Sequence, residues 1–333
     1  MDFIWECVIR WGMYGGRQAF DHWDIEVDTS DPPEDLEDLL AEVDDPVTGF
    51  FGPGTMMWRV ARETGLFLGG MTCVLLQLAH PKVAPGIEHS DYEEDPAGRF
   101  KRTFDVVDAI VFGDVDTALE GAMIVRELHE YVTGDLDEDV GPFEAGQRYE
   151  ANDPDLLLWV HATLIHQSIV AYDTYIGELS DEEAERFYQD SKTFGHLFGV
   201  PREHYPDTVE DFFEYVDRQV EDTVAMGATG REVRDLILDV SYHPGPNAPR
   251  LLRPVREFFG AATMPSAARE ALGLPWGPGR ELAFRALRGA VRRVYPHLPV
   301  QYRYKAEYRR AMQRVAAEST ATATAERVVA ADD

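Results

Sequence analysis

The stretch Trp159-Val-His-Ala-Thr-Leu-Ile-His-Gln-Ser-Ile-Val-Ala-Tyr-Asp-Thr-Tyr175 decides how the rest of the chain is interpreted. Apolar residues would cover most of its surface as a helix, and a helix that is hydrophobic on all sides belongs inside a protein. The preceding Asp153-Pro154-Asp155 is typical of a helix start, with an acidic cap, an early proline and negative charge at the positive end of the helix dipole. The sequence therefore predicts a buried central helix.

His161 is the polar residue of this helix that most needs an explanation. A buried polar group without a partner costs free energy, so a histidine in an apolar helix must be satisfied in some way. One interpretation is a core histidine bonded to a neighbouring carbonyl. The other is a ligand of iron or haem. His166 lies five positions further along, so we do not expect both imidazoles to face the same site.

The charge of the chain is strongly unbalanced. Its 333 residues include 31 basic and 61 acidic ones, for a formal net charge of −30, and 44% are hydrophobic. The only lysines are Lys82, Lys101, Lys192 and Lys305. This composition predicts a halophilic protein, because molar salt screens the self-repulsion; the alternative is an ordinary acidic protein. Non-specific nucleic-acid binding is disfavoured, since the phosphate backbone requires a basic face.

Three features predict a cytoplasmic protein. Cys7 and Cys73 are the only cysteines, which favours a reducing compartment and leaves no thiolate metal site. The first residues have no long apolar core, so we expect no secretory signal. The longest apolar run, 66–79, is too short to span a bilayer comfortably, so we expect no transmembrane segment.

The segment from Arg280 to Arg314 reverses the charge, with ten basic residues against two acidic ones. It could dock on the acidic body of its own chain, contact a membrane peripherally through residues such as Leu282 and Phe284, or form a simple helix surface. We favour docking because the body carries the complementary charge.

Common catalytic motifs are missing from the sequence. It has no Gly-rich phosphate loop ending in Lys-Ser or Lys-Thr, no HExxH, no G-x-S-x-G and no repeated Glu-x-x-His. The histidines occur mostly one to a helix. That pattern favours a site with one imidazole in an apolar pocket, and a single axial histidine is one way in which proteins hold haem. We expect His80 to cap its own helix end, and His129 and Tyr149 to pack around the central helix.

Four ordered segments carry a resemblance to a known family. They are Gly52-Pro-Gly-Thr-Met-Met-Trp58, Leu75-Leu-Gln-Leu-Ala-His-Pro-Lys-Val-Ala-Pro-Gly-Ile-Glu-His-Ser90, Asp95-Pro-Ala-Gly-Arg-Phe-Lys-Arg-Thr103 and Trp159-Val-His-Ala-Thr163. Together they resemble the catalytic domain shared by rubber oxygenase (latex-clearing protein) and the mycophenolic-acid-pathway oxygenase. The resemblance covers roughly residues 47–260.

The resemblance implies an all-α, globin-like domain around haem b. In the rubber-oxygenase branch, O₂ bound to the iron cleaves a carbon–carbon double bond of a hydrophobic substrate. His161 then matches the proximal ligand, and the distal Arg and Lys-Thr pair fall on Arg99 and on Arg102-Thr103. Glu88 is assigned as the distal acid, and His89 is the second candidate for a direct role.

One departure from the family pattern concerns Arg102, which stands where the lysine belongs. An arginine cannot take or give a proton as a lysine can, so the distal chemistry of the rubber enzymes need not transfer. The alternative is that Arg99 and Arg102 form salt bridges at the protein surface. Two other functions stay open, namely a non-catalytic binder of haem or an apolar ligand, and a structural member without cofactor.

A succession of helical patterns along the chain and the lack of strand alternation predict the all-α class independently of the resemblance. We predict an acidic N-terminal extension over 1–46, the oxygenase-like catalytic domain over 47–260, a basic helical segment packed on it over 261–317, and a disordered Ala/Thr-rich tail over 318–333.

Overall fold

The computed structural model describes residues 25, 27–89, 96–239 and 252–332, without the side chains of 88, 96, 97, 99, 100 and 321–332. Helices dominate this part of the chain, which confirms the predicted all-α class. The α-helices are α1 Glu34–Ala41, α2 Met56–Ala61, α3 Phe67–Leu78, α4 Pro96–Phe112, α5 Val115–Glu130, α6 Pro154–Ala171, α7 Asp181–Leu197, α8 Val209–Asp222, α9 Ala228–Asp239, α10 Arg253–Ala262, α11 Ser266–Ala271, α12 Pro278–Val294, α13 Val300–Arg303 and α14 Ala306–Asp332.

The predicted central helix is α6, and it is buried along most of its length. Asp153 caps it by accepting a hydrogen bond from the Asp155 backbone N–H at 2.9 Å, with Pro154 in the first turn, as the sequence predicted. After Ala171 the chain widens into one π-helical turn, Tyr172–Ile176. Short π segments are frequent at functional sites and change which side chains share a face.

Local capping fixes several other helix starts. The Thr55 hydroxyl accepts from the Trp58 backbone N–H at the start of α2. At the start of α7, Ser180 and Glu183 form the reciprocal hydrogen bonds of a capping box. Each of these interactions links residues three apart in sequence, so the sequence alone was sufficient to predict it.

A small hairpin lies between α5 and α6, in a chain for which the sequence predicted no strands. Strand β1 (Thr133–Asp135) pairs antiparallel with β2 (Arg148–Glu150), with Gly134 opposite Tyr149. Three residues are too few to show an alternating pattern, which explains why the sequence did not reveal the strands. The ring of Tyr149 is buried with Leu136 and Leu156, so the hairpin is anchored by tertiary packing.

The chain forms two compact units. Unit 1 comprises the described parts of Met1–Thr64, Arg102–Ile124 and Pro299–Asp333, and unit 2 those of Gly65–Lys101 and Val125–Leu298. Within unit 2, α3 packs against α6 and α10. The approach of α3 to α6 is close at Gly69, because a Cβ there would lie 2.8 Å from the Ala171 Cβ.

Unit 1 has its own aromatic and ionic core. The indole N–H of Trp58 donates to the Val111 carbonyl at 2.7 Å, and the Trp58 ring contacts Phe112 and Tyr308 edge-on. The fully buried Glu63 accepts two hydrogen bonds from Arg303.

The basic C-terminal segment makes ion pairs with acidic residues of its own unit. In unit 2, Arg292 on α12 lies 3.4 Å from Glu178. In unit 1, Lys305 lies 2.7 Å from Asp108. These contacts are the kind expected for docking, although Leu282 on α12 is 70% exposed. In the described residues, no helix combines the length and apolarity needed to cross a bilayer.

The last helix extends into the Ala/Thr-rich tail of the chain. Helix α14 runs to Asp332, through nearly all of the 318–333 segment that composition predicted to be disordered. The physical reason is the many alanines of this segment, since alanine has the highest intrinsic helix propensity.

Candidate functional site

His161 lies in the middle of the buried face of α6 and is 5% exposed. Burial lowers the pKa of its imidazole to about 3, and the Ser191 carbonyl opposes that shift only in part. The ring is therefore neutral at ordinary pH. A neutral imidazole is the form that binds a metal, because one of its nitrogens carries a free lone pair.

Helix α7 and the loop that follows it surround the His161 ring. Phe194 lies 5.9 Å away between ring centroids, and Tyr205 packs edge-on at 5.4 Å. Gly195 faces the same ring, since a Cβ at this position would lie 3.0 Å from its carbon atoms. The hydroxyl of Tyr188 on α7 donates to the Pro206 carbonyl at 2.7 Å and so ties the loop carrying Tyr205 to the helix.

The two nitrogens of His161 have different surroundings. Nδ1 lies 3.4 Å from the Tyr205 hydroxyl. Nε2 is buried and has no hydrogen-bond partner among the residues that the structure describes. A buried polar atom without a partner normally costs about 1–3 kcal/mol, so such an atom calls for an explanation. One explanation is that Nε2 binds a ligand that is not part of the protein chain. A single metal ion would be such a ligand.

The other buried histidines have the local partners of ordinary core residues. On the same helix, His166 Nδ1 lies 3.1 Å from the Gln167 side-chain amide, and the Gln167 carbonyl oxygen accepts from the Thr263 hydroxyl. His80 Nδ1 accepts from the Lys82 backbone N–H, which agrees with the predicted helix-end cap. His196 Nδ1 lies 2.9 Å from the Val200 carbonyl. Of the four histidines that are buried as whole residues, His161 is the one with a buried nitrogen that lacks a hydrogen-bond partner among the described residues.

A multi-residue metal cage is not found in the described part of the chain, where no group of three or more His, Cys, Asp or Glu side chains could hold an ion. A haem iron needs only one protein ligand, because the macrocycle supplies the others. The orphaned Nε2 of His161 fits that requirement.

His89 and Glu88 end the 3₁₀ segment Ala84–His89. His89 is exposed, and its Nε2 lies 2.8 Å from the Tyr149 hydroxyl. The side chain of Glu88 lies outside the described residues. His89 is thus joined to the hairpin, while the neighbours of His161 come from α7 and Tyr205.

Arg99, Arg102 and Thr103 follow one another on α4, as predicted. The Arg102 side chain is half-buried and that of Thr103 is exposed, whereas the side chain of Arg99 lies outside the described residues. Arg102 and Thr103 belong to unit 1 and His161 to unit 2. Their common role around one cofactor stays a prediction.

A cavity of about 50 Å³ lies beside the hairpin in unit 2, between residues such as Pro85, Leu136, Tyr149 and Gly230. Three carboxylates, Asp135, Asp137 and Glu138, also line it. This volume holds a few water molecules at most, so the cavity itself is too small for haem or an extended hydrophobic substrate.

Tyr205 and Gly195 are the site residues that sequence reasoning missed. Tyr205 falls in a loop 44 positions after His161, and a glycine inside a helix has no distinctive pattern of its own. The one available signal was Gly195 itself, because glycine in a helix interior is unfavourable and needs a reason.

Comparison with known proteins gives one family. The family described as ER-bound oxygenase mpaB/B′/rubber oxygenase, catalytic domain, matches residues 58–293. An uncharacterized protein of Mycobacterium tuberculosis is 27% identical over 232 residues, which cover 67% of this chain and 88% of that protein. An uncharacterized protein of Mycobacterium bovis matches with the same identity and coverage. No solved structure matches significantly.

Proposed function

The chain belongs to the mpaB/rubber oxygenase catalytic-domain family, and from this membership we propose that it is a haem b-dependent oxygenase acting on an unsaturated hydrophobic substrate. We also propose that it works in the cytoplasm. The observation that carries the haem proposal is the His161 side chain, buried on a rigid helix with its Nε2 lacking a partner among the described residues.

His161 would hold the cofactor through Nε2. Its position near the middle of α6 keeps the imidazole in place, and the apolar neighbours exclude water from it. Burial also keeps the ring unprotonated, as its lowered pKa shows, so acid does not compete with the metal above about pH 3. When bound, haem b supplies the iron centre at which O₂ is activated for oxidation of the substrate.

The distal side is assigned to α4 by the family resemblance. Arg102 offers a permanent positive charge and several N–H donors, which suit a haem propionate or another anionic group. It cannot serve as a base, so any proton transfer would fall to another residue. Arg99, Thr103, Glu88 and His89 remain candidates for this side.

The first experiment is an absorption spectrum of the protein produced with haem supplementation and purified in high salt. We expect a Soret band that His161→Ala abolishes. His166→Ala is the matched control, because it removes a buried histidine of the same helix that already has a protein partner. Lack of a Soret band in the unmodified protein would refute both haem functions. A band that survives His161→Ala would reassign the ligand.

Oxygen uptake then separates an enzyme from a binder. We expect uptake with a reductant and unsaturated lipids or isoprenoids, and carbonyl products from the cleaved double bond. The replacement of the family lysine by Arg102 favours a second candidate function, a non-catalytic haem protein. That function requires the same Soret band without substrate-dependent oxygen uptake.

A further inference from the structure

We propose that the outward-facing side of α12 binds a membrane surface that is rich in anionic lipids. Helix α12 (Pro278–Val294) carries five arginines and one acidic residue, Glu281, in a chain whose formal net charge is −30. The same helix exposes aliphatic side chains to solvent. Arginine charge beside exposed apolar side chains is the pattern of a helix that lies in the plane of a lipid surface.

The inward-facing side of α12 already has partners within unit 2. The Phe284 ring contacts the Tyr175 ring edge-on at 6.4 Å and the Trp276 ring at 6.0 Å. Arg292 adds an ion pair, because it lies 3.4 Å from Glu178. These contacts determine which side of the helix faces solvent.

The exposed apolar residues of α12 form one row along the helix. The row consists of Leu282, Ala286, Ala290 and Val294, each four positions after the one before. At about 100° per residue, these side chains fall within a sector of about 120°. Leu282 is 70% exposed and Val294 is 57% exposed. Single exposed apolar residues are common on protein surfaces, whereas a contiguous row points to a contact surface.

Arginines lie beside this apolar row. Arg285, Arg288 and Arg292 share a neighbouring sector of about 60°. Arg285 pairs with Glu281 at 2.7 Å. Arg288 and Arg293 are exposed, and neither forms an ion pair with a residue that the structure describes. Two such arginines in a chain with 61 acidic residues are available to an external anion, and each can strengthen binding to an anionic membrane by up to about fivefold.

A second copy of the chain fits this surface less well than a membrane does. Two-fold pairing of α12 with itself would place its arginines opposite arginines or opposite the apolar row of the other copy, because its one acidic residue, Glu281, already pairs with Arg285. An anionic lipid surface instead offers a phosphate to every arginine, and its headgroup region accepts the apolar row. It is also where an unsaturated hydrophobic substrate would dissolve, although this binding requires neither haem nor substrate.

Vesicle flotation of the full-length protein is the test, at a constant salt concentration at which circular dichroism shows a folded chain. We expect binding to vesicles of phosphatidylcholine mixed with phosphatidylglycerol, and binding about 10-fold weaker or less to vesicles of phosphatidylcholine alone. Equal binding to both kinds of vesicle, or binding to neither, would overturn the proposal.

The double variant Arg288→Gln, Arg293→Gln removes two charges that have no ion pair among the described residues, so the fold should persist. We expect it to weaken binding to the anionic vesicles by about 5–25-fold, with the larger effect at lower salt. The matched control is Arg186→Gln, Arg218→Gln, which changes the net charge equally at exposed arginines of α7 and α8. An equal loss of binding in the control would show that net charge and not α12 governs binding, and the proposal would fall.

Leu282→Gln tests the apolar row separately. We expect about fivefold weaker binding to the anionic vesicles, because an exposed leucine no longer enters the headgroup region. Tyr131→Gln is the control, since Tyr131 is 69% exposed but lies outside α12, and it should bind as the wild type does. If Leu282→Gln bound as tightly as the wild type, the contact of the apolar row with lipid would be refuted.

Light scattering without vesicles examines the competing occupant. We expect the same molar mass for the wild type and for Arg288→Gln, Arg293→Gln. A stable oligomer that this double variant dissociates would assign the surface to a second copy and overturn the membrane proposal. The Soret band of the α12 variants should equal that of the wild type, so failure of membrane binding and failure of haem binding are distinguishable.

Discussion

Unit 1 and unit 2 bury polar side chains in opposite ways. In unit 1, Glu63 and Asp108 are buried beside Arg303 and Lys305, so each carboxylate has a cation at hydrogen-bond distance. In unit 2, the buried histidines lie among apolar side chains, and burial lowers the pKa values of His80 and His166 to about 4. Each of the two carboxylates therefore already has its partner within the protein. A neutral imidazole has two nitrogens, and when one of them binds a neighbour the other can bind a second partner.

This difference distinguishes residues that hold the fold from candidate site residues. Burial raises the pKa of Asp108, and Lys305 opposes that shift by stabilising the carboxylate. Such a pair is expensive to break but offers nothing to a ligand. The buried Nε2 of His161, by contrast, has no hydrogen-bond partner among the described residues, so its burial costs free energy and does not stabilise the fold. Four predictions test this division, beginning with the largest effect.

Breaking the buried pair of unit 1 should destabilise the protein most. Glu63→Gln removes the buried charge that faces both Arg303 and Arg62, which we expect to lower the free energy of unfolding by about 3 kcal/mol. Urea denaturation at constant high salt measures this change in the free energy of unfolding. Glu182→Gln is the control, because its pair with Arg186 is exposed and should change stability by less than about 0.5 kcal/mol. Equal effects would show that Glu63 is not a fold-holding residue.

The packing of α3 on α6 in unit 2 should respond to volume and not to charge. Gly69→Ala places a Cβ 2.8 Å from that of Ala171, and we expect overpacking to cost about 2 kcal/mol of unfolding free energy. The adjacent Gly70→Ala has free space and should stabilise the protein by about 0.5 kcal/mol through helix propensity. Thermal and urea unfolding measure both. If both variants changed the free energy of unfolding in the same direction, the close approach of α3 to α6 at Gly69 would be refuted.

The neutral histidines should make unit 2 sensitive to acid. The folded-state pKa of His166 is about 4, below the value near 6.5 of the unfolded chain, so the unfolded state binds more protons between these values. Stability therefore falls as pH drops through this window. We expect His166→Gln to reduce the loss between pH 7 and pH 5 by about 1–2 kcal/mol.

Comparison of wild type and variant at each pH removes the opposite contribution of Asp108, whose raised pKa favours the folded state as pH falls. Urea denaturation at pH 5, 6 and 7 is the measurement. Parallel pH profiles of the two proteins would mean that His166 is not the titrating group.

The smallest expected effect concerns the cap of the central helix. Asp153→Ala removes the acceptor of the Asp155 backbone N–H and should cost about 1 kcal/mol of unfolding free energy. Asp155→Asn keeps that hydrogen bond and loses only a charge near the helix dipole, so we expect at most about 0.5 kcal/mol. If both variants lose the same stability, the helix start depends on charge and not on the cap.

Predicting the fold class from sequence succeeded because its signals are local. The cap at Asp153, the capping box of Ser180 and Glu183, and the apolar stretch of α6 each involve neighbouring residues. The hairpin of 133–135 and 148–150 was missed because its stability comes from the packing of Tyr149 and not from a pattern in three-residue strands.

For the candidate site, the amino-acid sequence by itself determined that His161 sits in an apolar helix, and its motifs indicated the family. It also selected His161, and not His166, as the candidate ligand, but it could not show the surroundings of either imidazole. Only the tertiary structure decided which of them keeps a nitrogen free. Gln167 satisfies His166 locally, whereas the partner of His161 is Tyr205, which reaches it only because α7 packs against α6 with a glycine at the point of contact.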